Sequence, residues 1–161
     1  MNSDHIFVFA VGIGIVAGLR SMTAPAVVSW AAYLGWMTRD WSQLAFMGSV
    51  GAVAIFSVLA IGELVADLLP RIPKRTAPAP LVARIITGGL CGAYFCEILN
   101  QPPFITGATL GAIGAISGAF AGYEIRRRLV RSLKIKDVFI AVPEDLIAIG
   151  LALFLVTRQL H

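Results

Sequence analysis

The chain has 161 residues, of which 58% are hydrophobic and only 14% charged, with a formal net charge of +4. A soluble domain carries about 25% charge, and here the charges cluster in short places separated by long stretches with almost none, which argues against a water-soluble globule and for a bilayer, where about 20 apolar residues cross the hydrocarbon core. The apolar runs are continuous rather than alternating and rich in Ala, Leu, Ile and Gly, so an all-α bundle of transmembrane helices is expected and a transmembrane barrel is not.

His5 to Leu19 is the first apolar segment. No basic leader precedes it and no small-residue cleavage site is clear, so it reads as a retained helix and not a cleaved signal. Arg20-Ser21-Met22-Thr23-Ala24-Pro25 interrupts it, and Ala26 to Met37 follows, with Tyr33 and Trp36 near its end. Arg39, Asp40 and Trp41 form a polar turn, and Leu44 to Leu69 is a long span closed by Pro70. The loop PRIPKRTAPAP cannot continue a helix, because proline lacks the donor and clashes with the preceding turn. Leu81 to Leu99, then Phe104 to Tyr123, are the next spans, separated by Asn100-Gln101-Pro102-Pro103. A basic stretch over 126–136 leads to Pro143, and Glu144 to Val156 opens the last span.

Arg71, Lys74, Arg75 and Arg84 form one basic group, and Arg126, Arg127, Arg128, Arg131, Lys134 and Lys136 another. The positive-inside bias reads both as cytoplasmic loops, 70–80 and 126–142, rather than nucleic-acid sites. A single helix from residue 5 to 37 would be about 48 Å long at 1.5 Å per residue, too long for one crossing without strong tilt. A break at 20–25 gives two short helices and six spans in all, with the N-terminus outside and Arg20 facing the cytoplasm; one kinked first helix would leave five. Six spans divide into halves, 1–77 and 78–161, that start on opposite sides, the geometry of a 3+3 inverted repeat.

Three groups of polar residues could carry chemistry. Glu63, Asp67 and Arg71 share one helical face by their spacing of four, and Glu63 lies about 10 Å deeper than Pro70 by helical rise. A carboxylate at that depth either faces an ion path or closes an ion pair with Arg20 or Arg84. Arg20, Ser21 and Thr23 precede Pro25, where a helix N-terminus would attract an anion, although Ser21 and Thr23 also serve as ordinary caps. Pro143-Glu144-Asp145 reads as a helix start with acids complementing the dipole, or as acids joining Glu63 and Asp67 in a site for a proton or a hard cation such as Mg²⁺ or Na⁺. Glu97 and Glu124 read as interfacial.

Gly107, Gly111, Gly114, Gly118 and Gly122 fall within about 80° of arc at 100° per residue, a stripe that lets helices approach closely. It serves packing inside the chain or between subunits of a homo-oligomer. Cys91 and Cys96, five apart on one helix, are too distant for a bridge and read as reduced packing residues. His5 and His161 lie near the ends, so no His/Cys metal site is visible and no cofactor is evident.

GLRSMTAPAVVSW (18–30), GELVADLLPRIPKRTAPAPLVAR (62–84) and PEDLIAIG (143–150) together resemble the bacterial membrane-protein family called domain of unknown function 4126. The resemblance implies a small multi-pass protein of the bacterial inner membrane, with Arg20, Ser21, Thr23, Glu63, Asp67, Pro70, Arg75, Arg84, Glu144 and Asp145 in its signature segments. It brings no activity. Three functions are therefore weighed: a transporter or channel for a small ion or charged solute, with the buried acids as its ion or proton site; a non-catalytic scaffold or assembly protein; and an enzyme acting on a lipid head group or phosphate. The enzyme ranks lowest, because no nucleophile–base pair, HExxH or dense Asp motif is present.

Overall fold

The computed structural model describes residues 3–37, 44–66, 78–98, 104–133 and 138–158. Among these, the regular elements are all helical. They are α1 (Ser3–Leu19), α2 (Thr23–Tyr33), a 3-10 turn (Ala45–Gly48), α3 (Val50–Ala66), α4 (Pro78–Ile98), α5 (Phe104–Leu133) and α6 (Val138–Thr157). Over Pro78–Ile98 and Phe104–Ser132, α4 and α5 are long and apolar enough to cross a membrane, while Phe7–Leu19 and Val50–Ala66 are shorter apolar helices.

The core is α5 laid against α1 and α4, and backbone rather than side-chain bulk forms the contact. A Cβ added at Gly111 would collide with the carbonyl oxygen of Gly88, one at Gly92 with that of Gly107, and one at Gly14 with that of Gly111. Gly114 and Gly118 meet Val11 and Ile15 in the same way. These residues of α5 are buried within the chain. Small residues permit that approach, and the gain is dispersion between closely apposed backbones.

The pairings also fix direction. Gly14 faces Gly111 and Gly18 faces Gly118, so α1 and α5 are parallel; Gly88 faces Gly111 and Gly92 faces Gly107, so α4 runs opposite. Gly12 meets Leu155 of α6, whereas the other end of α1 pairs Arg20 with Asp145, so α6 also opposes α1. The ends at which α1 and α3 finish and α4 and α6 begin thus lie at one level. The two halves of the chain are unequal: α2 has 11 residues and its counterpart α5 has 30.

Three local readings change. The basic residues Arg126–Arg131 sit on α5 and not in a loop. Arginine is a good helix former, and Glu124 supports the continuation by accepting a hydrogen bond from Arg128 at 2.8 Å, one turn on. Pro143 lies inside α6, which begins at Val138 rather than at the proline. Pro78 and Pro80 occupy the first turn of α4, where the missing N–H has no helical partner to lose. At the other end of α2, Gly35 takes φ 77°, while Trp36 N–H donates to Ala31 O and Gly35 N–H to Ala32 O. That pattern is a Schellman stop, which favours glycine because the left-handed region burdens a Cβ.

Candidate functional site

Polar side chains converge on the break between α1 and α2. Arg20 N–H still donates to Val16 O at 2.8 Å, so it closes the last turn of α1; Ser21 and Met22 make a turn, and Thr23 starts α2. A break of this kind exposes carbonyls at the end of one helix and N–H groups at the start of the next. Both ends are satisfied from other helices.

The α2 start is capped by Glu63 of α3. Its Oε1 accepts from the Ser21 N–H at 3.0 Å and from the Ser21 hydroxyl at 2.9 Å, and its Oε2 accepts from the Met22 N–H at 2.9 Å. The residue in the capping position is Met22, which makes no side-chain cap, so neither Ser21 nor Thr23 fills the capping role the sequence suggested. A carboxylate from 42 residues away does so, in the place where the helix dipole favours negative charge. Thr23 is buried beside it.

The end of α1 is capped by Arg84 of α4. Its guanidinium donates to Gly18 O at 2.6 Å and lies 3.5 Å from Leu19 O, a cation at the helix end where the dipole favours one. Another nitrogen of the same group is 3.9 Å from Glu63 Oε1. One arginine thus links the two caps.

On its other side the break is held by α6. Arg20, only 1% exposed, donates to the half-buried Asp145 in an ion pair. Next to Asp145, Glu144 lies 3.6 Å from Arg126 of α5. Gly122 of α5 lies beside both Leu19 and Glu144, and a Cβ there would collide with the Leu19 side chain. About 9 Å further along α3 from Glu63, Ser57 accepts from Trp30 Nε1 of α2 at 3.0 Å.

Arg20, Ser21, Glu63, Arg84 and Asp145 are therefore brought together, with Thr23 adjacent and Glu144 beyond Asp145. Asp67, Arg71 and Arg75 lie outside the described residues. Glu97 is near the end of α4, and Glu124 pairs with Arg127 at 3.6 Å and with Arg128. Glu63, Glu144 and Asp145 each face a different basic or N–H partner, and among the described residues no group of three or more His, Cys, Asp and Glu could hold a metal ion. Arg126 is the residue sequence reasoning missed. Its signal was the unbroken run of helix formers after Tyr123, which carries the helix through it.

The arrangement defines, among the described residues, an all-helical protein in which charged side chains from α3, α4 and α6 hold the turn at which α2 folds back from α1. The chain belongs to the family described as Domain of unknown function (DUF4126), whose model matches residues 7–158. No curated protein and no solved structure matches it.

Proposed function

We propose that this chain is a multi-span protein of the bacterial plasma membrane, and that the clamped break is the gate of a transporter or channel for a small ion or charged solute. The distribution of residues supports the first part. Two charged side chains, Arg20 and Arg84, are buried, while large apolar side chains are outside, among them Val58, Ile61, Ile86 and Ile113. On this reading α1, α3, α4, α5 and α6 cross the bilayer, and α2, about 16 Å long by helical rise, reaches halfway.

The observation that carries the second part is that two arginines, Arg20 and Arg84, are buried at the turn where α2 folds back from α1. A structural turn does not call for charged side chains from three other helices, since local caps or water satisfy helix ends. Nor does it need buried ion pairs, which apolar side chains replace without loss in many proteins. Ionisable residues kept at such a place, beside the N-terminus of a half-length helix, belong to the plan of ion and solute pathways. The partners facing Arg20, Glu63, Arg84 and Asp145 support reading this arrangement as the closed state of that gate. A proton or cation reaching Glu63 removes the negative charge that holds Ser21 and Met22, and one reaching Asp145 weakens its hold on Arg20. Either event loosens one side of the break.

The test is flux into proteoliposomes, with a trapped pH dye for protons and tracers for Na⁺, K⁺ and phosphate. The wild type should move one of these well above empty liposomes, and Glu63→Gln should change that rate by tenfold or more. Equal rates in both would remove Glu63 from the mechanism, and no flux of any probe would contradict transport. A second reading, a non-catalytic membrane scaffold, draws on the closure of the ion pairs. It predicts that neutralising Glu63 lowers stability and nothing else.

A further inference from the structure

The outward face of α5 changes character along its length. Ile113, Ile116 and Phe120 are 56%, 39% and 52% exposed on this face. Further along, Arg127, Arg128 and Arg131 are exposed. At 100° per residue all six fall within about 120° of arc, so the same strip of helix is apolar up to Phe120 and cationic from Arg127. Phe104 to Tyr123 rises about 29 Å, close to the roughly 30 Å thickness of a hydrocarbon core. The arginines then lie about 6–12 Å beyond it, at the depth of the lipid head groups.

Two further features fit that depth. Gly122 packs against Leu19, so residues 123–133 extend past the level at which α1 ends. On this extension Ile125 and Leu129, on the face opposite the cationic strip and in line with the glycine stripe, remain 58% and 39% exposed. Arginines at the end of a span carry their charged heads to the head-group level on long apolar stems. Glu124 holds Arg127 and Arg128 along the surface at 3.6 and 2.8 Å but offsets only one of the three charges.

We infer that residues 123–133 of α5 form a docking surface for anionic phospholipid head groups, with Arg127, Arg128 and Arg131 taking the phosphates. Arginine suits this role because its planar fork binds phosphate oxygens in pairs. The inference rests on the bilayer reading above and not on transport.

The experiment compares the full-length wild type with the triple variant Arg127→Gln/Arg128→Gln/Arg131→Gln, both in one mild detergent. Native mass spectrometry counts bound dioleoyl-phosphatidylglycerol against dioleoyl-phosphatidylcholine supplied in equal amounts. The wild type should prefer the anionic lipid by tenfold or more, since each surface cation contributes several-fold. The triple variant should fall to within twofold of no preference at unchanged helix content, and the corresponding triple lysine variant should keep most of it. A preference that survives in the glutamine variant, or is missing from the wild type, overturns the inference while the protein still requires detergent. Release of the wild type from membranes by alkaline carbonate without detergent would overturn the bilayer reading, and this inference with it.

Discussion

The α1–α4–α5 core and the α1–α2 break lie side by side and are held in opposite ways. In the core, helices touch through glycine backbones, with Gly88, Gly92, Gly107 and Gly111 leaving no room for a Cβ. At the break, helix ends are held by Glu63 and Arg84, and the Arg20 side chain by Asp145, each reaching in from another helix. The core depends on shape and is indifferent to charge. The break depends on charge at its helix ends, while α2 beyond it packs through Ala24, Val28, Ala31 and Ala32 into the apolar core. The proposed gate would therefore move the charged contacts first.

The comparison can be broken at either region. The largest effect belongs to the core. Gly111→Leu drives a side chain into the Gly88 carbonyl, and α4 must leave α5. Overpacking of this kind costs about 3 kcal/mol or more, and the variant should lose its monodisperse peak in size-exclusion chromatography of detergent extracts. Gly62→Leu is the control, since a Cβ there meets nothing within 4 Å. If both variants behave alike, the core is not packed as described.

At the break, Arg84→Leu leaves the Gly18 carbonyl without its cation and Glu63 without its nearest one. Loss of a charged hydrogen-bond partner costs about 2–3 kcal/mol, so the apparent unfolding midpoint in detergent should fall by several degrees while the protein stays monodisperse. An unchanged midpoint would mean that the α1 end needs no cap from α4. The smallest effect is expected away from both regions, at Gly35. Its Cβ would have open space, so Gly35→Ala pays only for the left-handed backbone, about 1 kcal/mol. A larger loss would show that the turn after α2 carries more than a helix stop.

The helical class and the position of the break were legible in the sequence, because Arg20–Pro25 interrupts an otherwise apolar run and periodicity is local information. The stripe of α5 was legible for the same reason, but its partners were not, since nothing in Gly111 names Gly88. The caps of the break were illegible individually. Ser21 and Thr23 looked like self-sufficient capping residues, and only the fold brings Glu63 onto Ser21 and Met22 across 42 residues. The length of α5 was misread because a run of arginines looks like a cytoplasmic loop, whereas arginine also propagates helix and Glu124 bridges the change. Pro143 misled in the same direction, as a proline signals a helix start more often than a position inside one.

The central claim is that buried charge, reaching between helices, holds the break closed. A double-mutant cycle on Arg20→Met and Asp145→Leu, read as unfolding free energy in a fixed detergent, tests it most directly. Each single change removes one member of a charge-assisted hydrogen-bonded pair, at about 1.5–3 kcal/mol. The account predicts that the double variant is more stable than either single one. Additive losses, within about 0.5 kcal/mol, would contradict it.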